Sequence, residues 1–274
     1  MAIPRVLSIA GSDSGGGAGI QADLKAFAHC GVHGMTAITA ITAQNTIGVS
    51  AVHHVPAETI VEQVGVVAGD IGVDAVKIGM LGTVTTIEAV DRALDQLPSS
   101  TPIVLDPVMV AESGAVLLEE AARASLVERL LPRATVVTPN LLEAAALAGV
   151  EESAETEAAG LAREVHRLGP AAVVVTGGHA AQATDVFFDG RRLCEIPGER
   201  YPGTAHGSGC THSSALAAAL AWGCDALDSA RLAKRVAAEA VRRGLKDIGR
   251  GAGPVDVLGL EGRFDIIGRC GSCG

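Results

Sequence analysis

The chain has 274 residues, of which 48% are hydrophobic but only 2% aromatic, and a formal net charge of −10. That length and apolar content suffice to bury a sizeable core and argue against disorder, while the acidity and the shortage of aromatics exclude a basic or base-stacking nucleic-acid surface. The longest apolar runs, such as "ALAAALAWG", are too short for a membrane span, so no membrane or nucleic-acid partner is expected, and any phosphate must be bound locally.

Short β-rich apolar runs alternate with longer helical patterns: "RVLSIA" (5–10), "MTAITAITA" (35–43), "DAVKIG" (74–79), "TPIVLDPV" (101–108), "ATVVTPN" (134–140) and "AAVVVTGG" (171–178). This rhythm predicts an α/β fold, a mostly parallel central sheet with helices on both faces. Between the last two strands, Ala158, Leu161, Ala162, Val165 and Leu168 fall on one helical stripe while Glu157, Arg163, Glu164, His166 and Arg167 fall off it, the pattern of an amphipathic helix on a sheet. After residue 178, "ATDVFFDGRRLCEIPGER" reads as two strands around an Asp189-Gly190 turn, a short antiparallel addition. Helices of roughly 208–222 and 226–246 follow. With no repeat, linker or abrupt change of composition, residues 1–258 are expected to form a single domain and 259–274 a fraying tail.

The six cysteines are scattered and no charged-then-apolar leader precedes "RVLSIAG", which sets the expectation of a reducing cytoplasm without disulfides. Cys270 and Cys273 lack a second ligand pair at zinc-site spacing and read as an oxidisable tail. His53 and His54 are adjacent in sequence and read as surface residues.

Four stretches can carry chemistry. In "GSDSGGGAGIQADLKAF" (11–27), Gly17-x-Gly19-x-x-Ala22 fits a dinucleotide fingerprint after a strand, but no acidic residue lies between Asp23 and Glu58 to meet a ribose. The chain also has no G-x-x-x-x-G-K-[ST] phosphate loop. What remains is a glycine-rich loop at a strand's carboxyl end, with Ser12, Asp13, Ser14 and Asp23 suited to a small polar ligand; a tight packing turn is the alternative. In "ITAQNT" (41–46), Gln44 and Asn45 can offer a donor and an acceptor to a heteroaromatic edge, or simply cap a strand end. In "TPNLLEAAAL" (138–147), Asn140 and Glu143 have the spacing of a capping box and equally that of groups holding Mg²⁺-bound waters and phosphate.

The fourth stretch is "HGSGCTHSS" (206–214). Gly207, Ser208 and Gly209 leave backbone N–H groups to converge at a helix amino terminus, a hole for a migrating phosphoryl group. The same field predicts a lowered pKa for Cys210, which could then take a proton from a substrate hydroxyl; a buried small hydrophobe is the plainer reading. His206 and His212 flank the hole and could touch phosphate.

Taken together, "IAGSDSGGGAGIQADLKAF" (9–27), "ITAITAQNTIGV" (38–49), "KIGMLG" (77–82), "LDPVMVAESG" (105–114), "TPNLLEA" (138–144), "TGGH" (176–179), "HGSGCT" (206–211) and "GRGAGPV" (249–255) resemble the ribokinase-like superfamily. Within it, the likeness is to the hydroxymethylpyrimidine/phosphomethylpyrimidine kinases of thiamine biosynthesis. The resemblance implies a three-layer α/β/α sandwich and use of ATP and Mg²⁺ to phosphorylate 4-amino-5-hydroxymethyl-2-methylpyrimidine and then its monophosphate. It implies that Gln44 reads the pyrimidine edge, helped by Asp23, Gly11, Met80 and Val108. Asn140 and Glu143 would organise metal-bound waters and the nucleotide phosphates, with Thr176 nearby and Asp106 as a helper to the metal. Gly207, Ser208 and Gly209 would form the anion hole and Cys210 would be the general base.

The resemblance also suggests a homodimer. Two positions depart from it: Thr176 stands where many relatives have Lys, and Glu112 where many have a basic or neutral residue, which puts the second phosphorylation in more question than the first. A pyridoxine or pyridoxal kinase is the nearest alternative, although many dedicated pyridoxal kinases carry Asp where Cys210 stands; a catalytically silent pyrimidine sensor is a further one.

Overall fold

A computed structural model describes residues 2–111, 114–150, 157–177, 183–201 and 206–260. In chain order the elements are β1 (Arg5–Asp13), α1 (Gly19–His29), β2 (His33–Gln44), β3 (Val49–His54), α2 (Ala57–Asp70), β4 (Ala75–Ile78), α3 (Val84–Leu94), β5 (Ile103–Leu105) and α4 (Glu120–Arg129). Then come β6 (Val136–Val137), α5 (Leu141–Ala148), α6 (Ala158–Arg167), β7 (Val173–Val175), β8 (Asp185–Phe188), β9 (Leu193–Ile196), α7 (Ser208–Ala221) and α8 (Ala226–Arg242). Glu112, Gly178, His179 and the Cys270/Cys273 tail lie outside the described residues.

The strands form one sheet in the order β3-β2-β1-β4-β5-β6-β7-β8-β9. The pairs from β2 through β7 are parallel, as the alternating rhythm predicts. β8 and β9 add antiparallel strands at one edge, around Asp189-Gly190 as expected.

Strand alternation splits the core into two layers. Leu7, Ile9, Val76, Ile78, Leu105, Val137 and Val175 pack with side chains of α2 to α6. Val6, Ala75, Val104, Val136 and Val174 face Phe27 of α1, Ala215 to Ala218 of α7, and Ala230 and Ala233 of α8. The predicted stripe of α6 is the buried one, through Leu161, Ala162 and Val165.

Three differences from the sequence reading bear on the site. The central strands β5, β6 and β7 are two or three residues long, shorter than predicted, because the continuous ladder stops at Leu105, Val137 and Val175, and beyond it Asn140 and Thr176 pair only by an isolated parallel bridge. β3 pairs antiparallel with β2, beyond what the pattern signalled, because "VSAVHH" is exposed and carries no apolar face. Helix α8 ends at Arg242 rather than 246, where Leu245 instead donates its amide to the Pro254 carbonyl.

Candidate active site

The carboxyl ends of β1, β4, β5, β6 and β7 open into one cleft of about 410 Å³, the usual ligand crevice of such a sheet. Gly11, Gln44, Met80 and Val108 line one part of it, and Asn140, Glu143, Thr176 and Asp106 another. Gly207, Ser208, Gly209 and Cys210 line it as well. Eleven expected positions that are far apart in sequence, together with Cys210, thus meet in one space. A second cavity of about 500 Å³ adjoins it, sharing Gln44 and His206 and bounded by Thr46, Ile47 and Arg250.

The glycine-rich loop is built around Asp13. Its carboxylate accepts the amides of Gly15 at 2.8 Å, Gly17 at 3.0 Å and Ala18 at 2.8 Å, and its Oδ2 lies 3.3 Å from His206 Nε2. Burial works to raise the Asp13 carboxyl, but the His206 ring and the loop amides outweigh it and hold it below the ordinary value. Lys25 Nζ ties the loop at the Gly16 carbonyl. Ser14 Oγ donates to the Gln44 carbonyl and accepts the Gln44 amide, and Ser12 Oγ accepts from Gln21. These side chains, expected to serve a ligand, spend their hydrogen bonds on shaping the loop and carrying the Gln44 strand end. His206, expected at the phosphate, is the residue that docks this loop onto the second one.

Asp23 requires a correction. Its side chain is fully buried and does not line the cleft. The carboxylate accepts from Ser8 Oγ, Ser214 Oγ and both ways from Lys77 Nζ, which leaves no edge for a pyrimidine. Gly11 and Met80 do meet at the cleft, where a Cβ on Gly11 would lie 3.1 Å from the Met80 sulfur.

The helix start expected to serve as an anion hole has an open amino terminus. Gly207 is the N-cap of α7 in the left-handed region, φ 84, and no side chain caps the helix, so the leading amides point outward unpaid by the protein's own side chains. A Cβ on Gly207 would lie 1.9 Å from the Gly17 carbonyl oxygen, so the two glycine loops touch backbone to backbone.

Cys210 sits partly buried in the first turn of α7. Its thiol does not behave as the helix terminus alone predicts. Burial raises it most, Asp23 and Asp106 add to the rise, and Lys77 and the Gly19 amide only partly offset them, so it is pushed up to about 12. The resting group is a thiol, not a thiolate.

The capping-box reading of Asn140 and Glu143 holds. Asn140 Oδ1 accepts the Glu143 amide and Glu143 Oε2 accepts the Asn140 amide, each at 2.9 Å, a complete capping box that still faces the cleft. Burial, then the charge of Asp106, pushes the Glu143 carboxyl up to about 8. Asp106, which accepts from Ser213 Oγ at 2.9 Å, is raised as well, by burial above all. Among the described residues no group of three or more His, Cys, Asp or Glu is arranged to hold a metal.

Four cleft residues went unassigned or were ranked low in the sequence. Lys77 lies inside a strand whose every residue is buried, and a lysine within "DAVKIG" was the signal. Lys234 falls on the buried stripe of α8 and donates to Asp185 Oδ1 at 2.6 Å. His212 Nε2 lies 3.3 Å from Asp185 Oδ2. No pattern in "ATDVFF" marked Asp185 as polar machinery.

Comparison with known proteins agrees with this geometry. The family profile described as Phosphomethylpyrimidine kinase matches residues 13–256. A hydroxymethylpyrimidine/phosphomethylpyrimidine kinase of Rhizobium meliloti is 49% identical over 254 residues, 91% of this chain and 95% of its own. Among solved structures, an ADP complex of Bacillus subtilis pyridoxal kinase superposes with a TM-score of 0.84 at 38% identity, covering 95% of this chain and 99% of that one. A phosphomethylpyrimidine kinase from Clostridium difficile gives 0.76 at 38% identity, covering 87% and 99%. With nearly the whole chain matched, and the cleft assembled at the matched loops, this protein belongs to the phosphomethylpyrimidine kinase family.

Proposed function

We propose that the protein transfers the γ-phosphoryl group of ATP to 4-amino-5-hydroxymethyl-2-methylpyrimidine, and then to the resulting monophosphate, to make the diphosphate used in thiamine biosynthesis. The observation that carries this reading is the convergence of two unlike surfaces in one cleft. Gln44, Gly11, Met80 and Val108 offer a mixed apolar and amide wall, and the uncapped first turn of α7 offers amides to an anion.

Phosphoryl transfer asks chiefly for positioning and charge stabilisation. Gly207 holds the leading amides of α7 open, and Asn140 orders the start of α5 where Glu143 faces the nucleotide end. In this reading Cys210, once ionised, accepts the hydroxyl proton as the new O–P bond forms and the bond from the γ-phosphorus to its bridging oxygen breaks. Loss of the thiol proton is then the step that readies the site.

The donor set suits Mg²⁺. Asp106 is a buried carboxyl group whose charge raises the pKa of the half-buried Glu143, a strain that a divalent cation held through water would relieve. Bound with ATP, the ion supplies charge neutralisation on the phosphates. Thr176 brings no charge, but Lys234 brings an ammonium to the same end of the cleft from α8.

The reading takes residues 1–258 as one domain and the enzyme as a cytoplasmic homodimer. It is supported by thiols that are free at Cys30, Cys194, Cys210 and Cys224, and by exposed Ile41, Ile47 and Val52 around the β2–β3 hairpin. No helix among the described residues is long and apolar enough to cross a membrane.

The likeness to pyridoxal kinase structures favours a second reading, phosphorylation of the hydroxymethyl group of pyridoxal. A coupled ATP assay on the pyrimidine alcohol, with mass analysis of the product, tests the first. Appearance of mono- and then diphosphate supports it, and absence of both products overturns it.

A further inference from the structure

Lys77 sits in the middle of β4, a central strand flanked by β1 and β5, and is fully buried. An apolar side chain would fill that place at less cost, since a buried ion pair contributes little net stability. Burial works against its charge, but Asp23 foremost, with Asp106 adding to it, keeps it protonated. Asp23 anchors it at 2.9 and 3.1 Å.

The surroundings say what the ammonium serves. On α7, Cys210, Ser213 and Ser214 are spaced three and four residues apart and so share one helix face. Ser214 Oγ donates to Asp23 at 2.8 Å and Ser213 Oγ to Asp106 at 2.9 Å, so that face lies on the sheet over Lys77. The lysine arches along its strand toward the cleft, since a Cβ on Gly79 would come 2.8 Å from Nζ, and it emerges in the cleft lining with Cys210. The groups acting on the thiol are Asp23 from α1, Asp106 after β5, Lys77 of β4 and the Gly19 amide, while His212 of α7 acts on Asp106, which in turn acts on Glu143 of α5. Both carboxylates oppose ionisation of the thiol. Lys77 is the side chain that favours it.

The geometry points to Lys77 as the positioning residue of phosphoryl transfer: its Asp23-anchored ammonium is the buried charge that lets the Cys210 thiol ionise and act as a base. The inference rests on the base role proposed for Cys210. Lys77 itself neither gives nor takes a proton.

The test is the pH dependence of iodoacetamide alkylation at Cys210, resolved by peptide mass mapping in the full-length protein, beside the pH profile of kcat. In Lys77→Met, alkylation at a given pH should slow by about tenfold or more, the effect of one pKa unit. In that variant kcat should fall in parallel while KM for the pyrimidine alcohol stays within about threefold, a gap that separates lost charge from lost binding. Lys77→Arg should restore part of the rate. In Asp23→Asn the ammonium is left unopposed and alkylation should accelerate. Because Asp23→Asn also removes a carboxylate that opposes the thiol directly, Lys77→Gln takes the place of Lys77→Met if that variant does not fold.

Opposite signs in the two variants support the inference. Slowing in both, acceleration in both or no change in either overturns it, because packing alone would move them together. Turnover of Cys210→Ala is read separately: near-normal turnover removes the base role whatever the alkylation rates show.

Discussion

Replacing Gly207 by Ala puts a methyl group where the two glycine loops touch. The backbone there has φ 84, a conformation costing an L-residue about 1–2 kcal/mol. The new Cβ would stand 1.9 Å from the Gly17 carbonyl oxygen, which is backbone and cannot swing aside, and overpacking of that kind costs about 1–3 kcal/mol. Together the loss is on the order of 2–5 kcal/mol, a large share of the ~5–15 kcal/mol that holds a domain folded. At a urea dependence of ~3 kcal/mol/M the midpoint should fall by roughly 1 M. Circular dichroism in a urea titration reads it, with turnover measured on the folded fraction. Gly209 is the control. It is helical with nothing within 4 Å of a Cβ, so Gly209→Ala should leave the midpoint unchanged or raise it. Its turnover should nonetheless fall, because the methyl enters the space assigned to the transferring phosphate. A Gly207→Ala midpoint equal to that of the parent, or an equal fall in both variants, would refute the reasoning.

Three further outcomes follow from the same geometry. Cys210→Ala should cut kcat by a factor on the order of 10²–10⁴ and leave pyrimidine affinity within a few-fold, checked by steady-state kinetics and calorimetric titration. Because the thiol is pushed up to about 12 and only the ionised form accepts a proton, kcat/KM should climb with pH across the neutral and mildly alkaline range and fall as pH drops. A flat profile from pH 6 to 9 would contradict a base on Cys210. Lys234→Met should raise the KM for ATP by roughly 10–100-fold, the worth of one charged hydrogen bond, while Asp185 keeps the Gly177 amide and His212 as neighbours.

Much of this was legible in the sequence where the signal is local. The buried stripe of α6 is a matter of periodicity, and the loop-to-helix joints at Gly207 and Asn140 announce themselves by residue type. What escaped depends on charges brought together by the sheet. Seen within its own helix, Cys210 sits in a field that favours a thiolate. Folding sets it beside Asp23 and Asp106, contributed by distant strands and helices, and their charge with burial reverses the sign. Asp23 looked like a ligand group because the sequence placed it beside the glycine-rich loop, yet Lys77 of β4, together with Ser8 and Ser214, takes up its carboxylate. β3 escaped for the opposite reason, since an exposed edge strand needs no apolar alternation to exist.

The most direct test of the account sets the pyrimidine alcohol against pyridoxal as competing acceptors at equal concentration with ATP, and follows both phosphorylated products by mass. Preferential phosphorylation of the pyrimidine, abolished with Cys210→Ala, is the predicted result. Transfer to pyridoxal alone, or transfer to the pyrimidine undiminished without the thiol, would contradict it.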